Sequence, residues 1–424
     1  MARRNWPAIL IWLATRALTL HLLFGAEHLA VGDPEYYRIN LRAMSHVGVA
    51  HTLVEYPVPA VALLAVPYLL VHLLGHLITY SVALALCALA MDATLGVLLV
   101  VGHRQRPDIG RVLGLRPAEW VWLAAVPAMG ATALARFDLI PGVLVALALL
   151  FLAARPRLAA VCAAVATATK YWPAIVLPAL LGPARSRRAV AVTTVLSGGA
   201  IAVASALWGG WHRLLTPLSY LQDRGLQVES VTATPAMLRF ALHPGAYRVV
   251  YAPSHAFEVE GPKVGALLRI TTLETVALAL LLFVLWTLIW RRLAKPGADL
   301  DPLVWVVLAS VAGFIVTGKV LSPQYLLWLL PPAAAGLLLL RDAASRRRLF
   351  AWSGALVAVT LATQYIFPLH YVAVVAHTPR TLAIVTLLAV RNLSLVALFV
   401  YAVSEAWLLC REPTPTSEHP IAVS

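Results

Sequence analysis

The sequence predicts an all-α polytopic membrane protein, a single membrane domain over 1–410 with about twelve transmembrane helices. Three observations carry that expectation. Of the 424 residues, 61% are hydrophobic and only 12% charged, with a mean hydropathy of +0.82. The apolar residues form repeated runs of bilayer-crossing length, each ended by a charge, a proline or a glycine. Basic residues gather in short clusters between alternate runs, as the positive-inside rule requires. The formal charge of +14 is therefore read as membrane topology, and nucleic acid is not expected as a partner.

Spans are placed at Pro7 to Phe24, Ile78 to Val101, Ala118 to Ala135, Leu139 to Ala154, Leu158 to Thr169, Trp172 to Gly182, Ala189 to Trp208, Leu267 to Trp290, Pro302 to Thr317, Leu321 to Leu340, Leu349 to Phe367 and Thr381 to Leu409. Both termini are then cytoplasmic. The basic start and the Gly25-Ala26 ending of the first run superficially fit a secretory signal. Arg16 inside the run and the many later spans favour a retained helix.

The run after Pro57 is long enough to span. Counting it as a span would put Arg104, Arg106, Arg111 and Arg116 outside, so it is read as an interfacial or re-entrant helix, which also suits Pro57, Pro59 and Pro67. Leu158 to Gly182 lies between two basic clusters and is read as two short helices broken at Lys170-Tyr171-Trp172-Pro173, because proline disfavours helix at the residue before it. Two external loops result, 25–77 with juxtamembrane helices and 209–266, with a short disordered cytoplasmic tail at 411–424. Cys87, Cys162 and Cys410 show no metal-ligand spacing, so neither a disulfide nor a zinc site is expected.

Sidedness sorts the reactive groups. Asp33, Glu35, Glu55, Arg136, Asp138, Lys170, Arg224, Glu229, Lys319, Gln324 and His370 all fall on the external face, whereas the cytoplasmic face carries basic clusters and a few solvated acids. Arg136-Phe137-Asp138 reads equally as an ion pair closing a tight hairpin or as part of a site. Lys170, at a helix break beside Tyr171 and Trp172, is costly near a membrane surface unless it snorkels or meets an anion. Lys319 has the same two readings. Arg224 either grips a phosphate bidentately or pairs with neighbouring Asp223. His370 and His377 read first as interface residues. Within the spans, Arg16 and Asp92 fall at comparable depth and are expected to neutralise each other.

Acid, base and cation on one membrane face suit a lipid phosphate that carries a sugar. The tail would stay in the bilayer, Lys and Arg would steady the departing phosphate, and Asp33 would take a proton from an attacking hydroxyl. One base and a good leaving group suit direct displacement with inversion.

Five stretches, in order, carry a resemblance: Asp33 with Tyr36, Tyr37 and then Glu55-Tyr56-Pro57; Arg136-Phe137-Asp138 with Pro141; Ala168-Thr169-Lys170 with Pro173; Arg224 to Ser230; and Gly318-Lys319 with Ser322-Pro323-Gln324-Tyr325 and Trp328. The chain resembles the polytopic GT-C glycosyltransferases, and among them the GT87 group of actinobacterial polyprenyl-phosphate-dependent mannosyl- and arabinosyltransferases.

The resemblance implies Asp33 as the catalytic aspartate of the first external loop, juxtamembrane helices, a polyprenyl-phosphate sugar donor, a glycolipid or glycan acceptor, and inversion; the residues themselves show no metal motif, and no cofactor is expected. Lys170, Arg224, Lys319 and Arg136 are the expected donor-phosphate ligands. Glu35, Tyr37, Glu55, Tyr56, Asp138, Trp172, Glu229, Gln324, Tyr325 and His370 are the expected substrate contacts. Members acting on phosphatidylinositol mannosides or arabinan carry histidines after the Ser-Pro element, where this chain has Gln324-Tyr325-Leu326-Leu327-Trp328, so a histidine-assisted aspartate does not transfer. Mannose is the favoured sugar. The alternatives are an arabinofuranosyltransferase using polyprenyl-phosphate arabinose and a transporter or flippase for a lipid-linked sugar. A transporter would be expected to show its reactive groups near the midplane, broken central helices and a repeat relating its halves, whereas here the reactive groups gather at one face and no repeat is found.

Overall fold

A computed structural model describes residues 6–104, 106, 108–111, 113–295 and 298–411. Beyond Arg411, the tail expected at 411–424 lies outside the described residues. The chain runs through α1 (Trp6–Phe24), α2 (Gly32–Val47), α3 (Val58–Leu73), α4 (Tyr80–Arg104), α5 (Pro117–Met129), α6 (Thr132–Ala135), α7 (Leu139–Phe151), α8 (Pro156–Thr169), α9 (Leu177–Leu180), α10 (Ala184–Gly209), α11 (Thr216–Gln222) and α12 (Thr234–Leu242). A hairpin of β1 (Arg248–Tyr251) and β2 (Phe257–Glu260) follows, then α13 (Val264–Leu293), α14 (Asp301–Thr317), α15 (Leu330–Leu339), α16 (Ala343–Gln364), α17 (Val372–Val375) and α18 (Thr381–Arg411).

The helices sort into two classes by where their apolar side chains go. Among the described residues, six are long and apolar enough to cross a membrane: α1, α4, α10, α13, α16 with its continuation to Leu369, and α18. Their apolar side chains are largely exposed, Leu207 at 81% and Leu273 at 68% among them, as expected where the solvent is lipid. The shorter α7, α14 and α15 are apolar all round and buried, which makes them the core of the bundle. The protein is thus a helical, multi-pass membrane protein. Close approach inside that core depends on Gly142, where a Cβ would run into the carbonyl oxygen of Leu327.

Arg16 and Asp92 form the buried pair expected from their depth, with Nη2 to Oδ1 at 2.6 Å and Nε to Oδ2 at 2.9 Å. Trp12 Nε1 also donates to Asp92 at 2.7 Å, and Arg16 donates further to the carbonyls of Trp122 and Leu123 and to the Thr15 hydroxyl. A buried pair with this complement of hydrogen bonds has its lone pairs and protons satisfied, which is what such depth demands.

Several expected spans take a different form. Trp172 to Gly182 is a 3-10 turn (Trp172–Val176) followed by the four-residue α9, not a spanning helix, because Pro173 and Pro178 withhold backbone donors at the start of each piece. Leu321 to Leu340 starts as extended chain, passes through a 3-10 turn (Pro323–Trp328), and becomes α-helical only at α15. Ala118 to Ala135 breaks at Gly130, whose φ of +61° favours glycine. The all-α expectation is also corrected: β1 and β2 pair antiparallel from Arg248↔Glu260 to Tyr251↔Phe257. Val and aromatic residues at alternating positions suit that ladder, and a short loop closes it.

The two ends of the bundle differ. At one end arginines cap helix C-termini: Arg106 donates to the carbonyls of Leu338 and Leu340 (2.9 and 3.0 Å), Arg346 to Leu340 (2.9 Å), and Arg187 to Leu181 and Gly182. Cations there complement the helix dipoles. The other end carries α2, α3, α11, α12 and the hairpin. At about 46 Å, the 31-residue α18 exceeds the roughly 30 Å hydrocarbon core, and its first turns, at Ile384, Val385 and Leu388, pack with Met237 and Phe240 of α12. α3 packs on α4, α8 and α10. Its 16 residues reach only about 24 Å, short of a crossing.

Candidate active site

The site is assembled at the loop end from helix termini and turns. Asp33 sits in the first turn of α2, where the helix dipole favours a carboxylate. Its Oδ2 is paired with Nη2 of Arg136, which follows α6 in extended conformation. Oδ1 of Asp33 makes no hydrogen bond among the described residues. Two residues beyond Arg136, the buried Asp138 accepts at Oδ1 from Lys170 Nζ (2.6 Å) and Trp328 Nε1 (2.8 Å). The hairpin ion pair between Arg136 and Asp138 is therefore replaced by two crossed pairs: Arg136 is extended whereas Asp138 is already helical at the start of α7 (φ −60°, ψ −23°), and each charge meets a partner from another turn.

Lys170 ends α8 in extended conformation and lies among the rings of Phe137, Trp328, Tyr325 and Tyr56 at 5.1, 5.3, 5.6 and 5.9 Å. Trp328 stacks on Tyr325 at 3.8 Å and on Trp172 at 5.0 Å, so the 3-10 turn after Ser322 braces this cage. The rings surround the ammonium that Asp138 pairs. Arg224 is close enough for its charge to act on both Lys170 and Tyr325. It makes no ion pair among the described residues, not even with Asp223, and its Nε is buried without a partner.

Electrostatics follow from this packing. Burial pushes the Asp33 carboxyl above its usual range, with the charge of Arg136 opposing and that of Asp138 adding to the rise. Burial lowers Lys170, opposed by Asp138. A buried carboxylate that stays partly accessible and gains basicity is what a general base at neutral pH needs.

The backbone around the site is held by long-range contacts. Arg213 is fully buried and donates to the carbonyls of Thr52, Leu53, Val54 and Tyr56 at 3.0–3.3 Å, which fixes the turn bearing Glu55 and Tyr56. Glu55 accepts from Tyr36 Oη at 2.9 Å. Tyr37, Tyr56 and Phe137 meet edge to face, with Tyr56 and Phe137 5.1 Å apart. Gln227 ties the Arg224–Ser230 stretch to the Lys319–Ser322 stretch: its N–H reaches the Lys319 carbonyl at 3.0 Å, and its Oε1 accepts from the Leu321 N–H at 2.7 Å.

Several expected contacts lie elsewhere. Glu35 turns to solvent and pairs with Arg38 one helical turn on. Glu229 is buried and pairs with Arg391 of α18 at 3.0 Å, joining the loop module to the bundle. His370 stacks on Tyr365 at 4.2 Å and bonds its carbonyl, remaining within its own turn. Lys319 Nζ donates to the carbonyls of Gln222 and Arg224 at 2.8 and 2.7 Å and so holds the Arg224 loop. Trp172, Tyr37 and Gln324 are buried behind the site surface.

Arg213 and Glu27 had no readable signal. Glu27, buried beside Gly130, accepts from the Ala131 N–H at 2.6 Å and from Gln364 Nε2. Both partners are distant in sequence, so neither residue could be told from an interface charge.

Residues 55–256 match the family model for glycosyltransferase family 87. No curated protein matches the chain. The matched span holds Glu55, Arg136, Asp138, Lys170, Arg213 and Arg224. Asp33 precedes it, and Lys319 to Trp328 follow it. The chain therefore carries a glycosyltransferase family 87 domain over residues 55–256, and it is a glycosyltransferase.

Proposed function

We propose that the protein is an inverting glycosyltransferase that moves a sugar, mannose favoured, from a polyprenyl-phosphate donor to a hydroxyl of a glycolipid or cell-envelope glycan on the external membrane face. The observation that carries this reading is the opposition of Asp33, with Oδ1 open, to a cation wall of Arg136, caged Lys170 and Arg224. The acceptor hydroxyl oxygen attacks the anomeric carbon as the bond from that carbon to the phosphate oxygen breaks. The phosphate leaves with the bonding pair, and the hydroxyl proton passes to Asp33. One displacement inverts the anomeric centre.

Orientation rests on the arginine-capped end of the bundle being cytoplasmic by the positive-inside rule. That puts the site, the hairpin and α12 outside, and leaves both termini inside. Sulfur, metal and cofactor chemistry are not needed for this displacement.

The test is Asp33→Asn assayed with purified protein and polyprenyl-phosphate mannose or arabinose, with transferred sugar read by mass spectrometry. Transfer should disappear while the folded fraction and melting temperature are kept. Turnover retained at a tenth of wild type or more would overturn the role of Asp33. Arabinose transferred in preference to mannose would select the arabinofuranosyl alternative.

A further inference from the structure

A second cluster lies one helical turn along α2 from Asp33, since positions three apart on a helix are neighbours. The Tyr36 hydroxyl donates to Glu55 at 2.9 Å. On the outer side of Tyr36 is His255, its ring 5.1 Å away and tilted by 50°. Tyr251 follows at 6.3 Å from His255, 62% exposed.

His255 belongs to the loop closing the β1–β2 hairpin and has a φ of +53°, a conformation that non-glycine residues adopt rarely. The loop is held in it by the His255 N–H to the Ala252 carbonyl (3.0 Å) and the Ala252 N–H to the Ala256 carbonyl (2.9 Å). The hairpin is in turn anchored to the Arg224 loop through Val228 N–H to Phe257 and Val259 N–H to Leu226 (3.1 and 2.9 Å). Glu55 cannot drift either, because Arg213 holds the carbonyls on both sides of it. The result is a fixed row of three rings, half-buried at Tyr36 and exposed at His255 and Tyr251, with a carboxylate at its inner end.

Exposed aromatics held rigidly beside one oriented carboxylate are a poor choice for stability, since burial of those rings would gain more. They suit a ligand with an apolar face and hydroxyls at its rim. Resting on the reading of this protein as a glycosyltransferase, the geometry points to Tyr36, His255 and Tyr251 as a stacking platform for a saccharide ring of the acceptor, with Glu55 accepting from one ring hydroxyl and so turning the neighbouring hydroxyl toward Asp33. The donor phosphate then meets Lys170 and Arg224, and the glycan meets the hairpin loop. A site that uses a fixed carboxylate for a hydroxyl also selects against rings that lack it. Burial already raises the Glu55 carboxyl, with the Tyr36 bond and the charges of His255 and Arg213 opposing.

The test separates this site from the reaction. Methyl glycosides of mannose and arabinofuranose are titrated against the full-length protein in lipid nanodiscs, and binding is read by saturation-transfer NMR without donor. Wild type should bind at least one of them, His255→Ala and Tyr251→Ala should weaken binding at least fivefold, and His255→Phe should restore it, since stacking needs a ring and not an imidazole. In transfer assays the same alanine variants should raise the acceptor KM at least tenfold and move the donor KM less than twofold. No glycoside binding by wild type, binding indifferent to His255→Ala, or a shift confined to the donor KM would each overturn the platform. Platform-dependent binding with no transfer from any polyprenyl-phosphate sugar would overturn the proposed reaction and leave the platform standing.

Discussion

Asp33 and Arg136, 103 positions apart in the chain, are joined by an ion pair, while Asp138 gives its carboxylate to Lys170 at 2.6 Å. The two acids and two bases thus alternate across the site. Each carboxylate is oriented by a cation from a different turn, and Asp33 keeps Oδ1 without a hydrogen bond among the described residues.

The pairing sets the pH dependence. Because burial raises Asp33, its basic form exists only above a pKa higher than the ordinary carboxylate range, and transfer should fall as pH drops through that value. Arg136 opposes the rise, so Arg136→Met should move the acid limb of the kcat/KM profile to higher pH. A limb that stays put or moves down would show that Arg136 does not act on the base.

Lys170→Met should cost the donor first, with kcat/KM for the donor falling about 10²-fold or more if the ammonium steadies the leaving phosphate. The variant also leaves Asp138 buried with only Trp328, a stability loss of roughly 3–5 kcal/mol for a broken buried pair. Lys170→Met with Asp138→Asn should recover the melting temperature and leave the donor defect in place. Recovery of both would make Lys170 a structural residue only.

Arg224→Lys separates shape from charge. A guanidinium can hold two phosphate oxygens and an ammonium cannot, so the donor KM should rise roughly tenfold while an alanine at the same position does worse. Equal activity of the lysine variant and wild type would remove bidentate binding from the account.

In the bundle, Arg16→Met alone should lower stability by roughly 3–5 kcal/mol, by leaving Asp92 charged and unpaired inside the protein. Arg16→Met combined with Asp92→Leu should recover most of it, measured by thermal unfolding in detergent. Non-additivity of this size is expected only of residues in direct contact.

Gly142→Ala should be worse than an ordinary helix substitution. Alanine favours helix over glycine, but its methyl group meets the Leu327 carbonyl and would push the 3-10 turn carrying Tyr325 and Trp328 off α7. A lowered melting temperature together with a raised donor KM is the expected result, and a stabilised protein would contradict the packing.

Class, most helix positions and the pooling of reactive groups were legible in the sequence, because each depends on local patterns. Apolar runs mark helices, Pro173 marks the break at Lys170, and the alternation of basic clusters marks sides. The Arg16–Asp92 pair was readable for the same reason, since depth along two runs can be counted. Tertiary structure alone decided which charges meet. Glu229 went to Arg391, Lys319 to two backbone carbonyls and Glu35 to solvent, because a side chain's partner depends on which distant turn packs against it and at what angle. The same holds for Arg213, His255 and Glu27, whose roles exist only once residues far apart in the chain are brought within hydrogen-bond or ring contact.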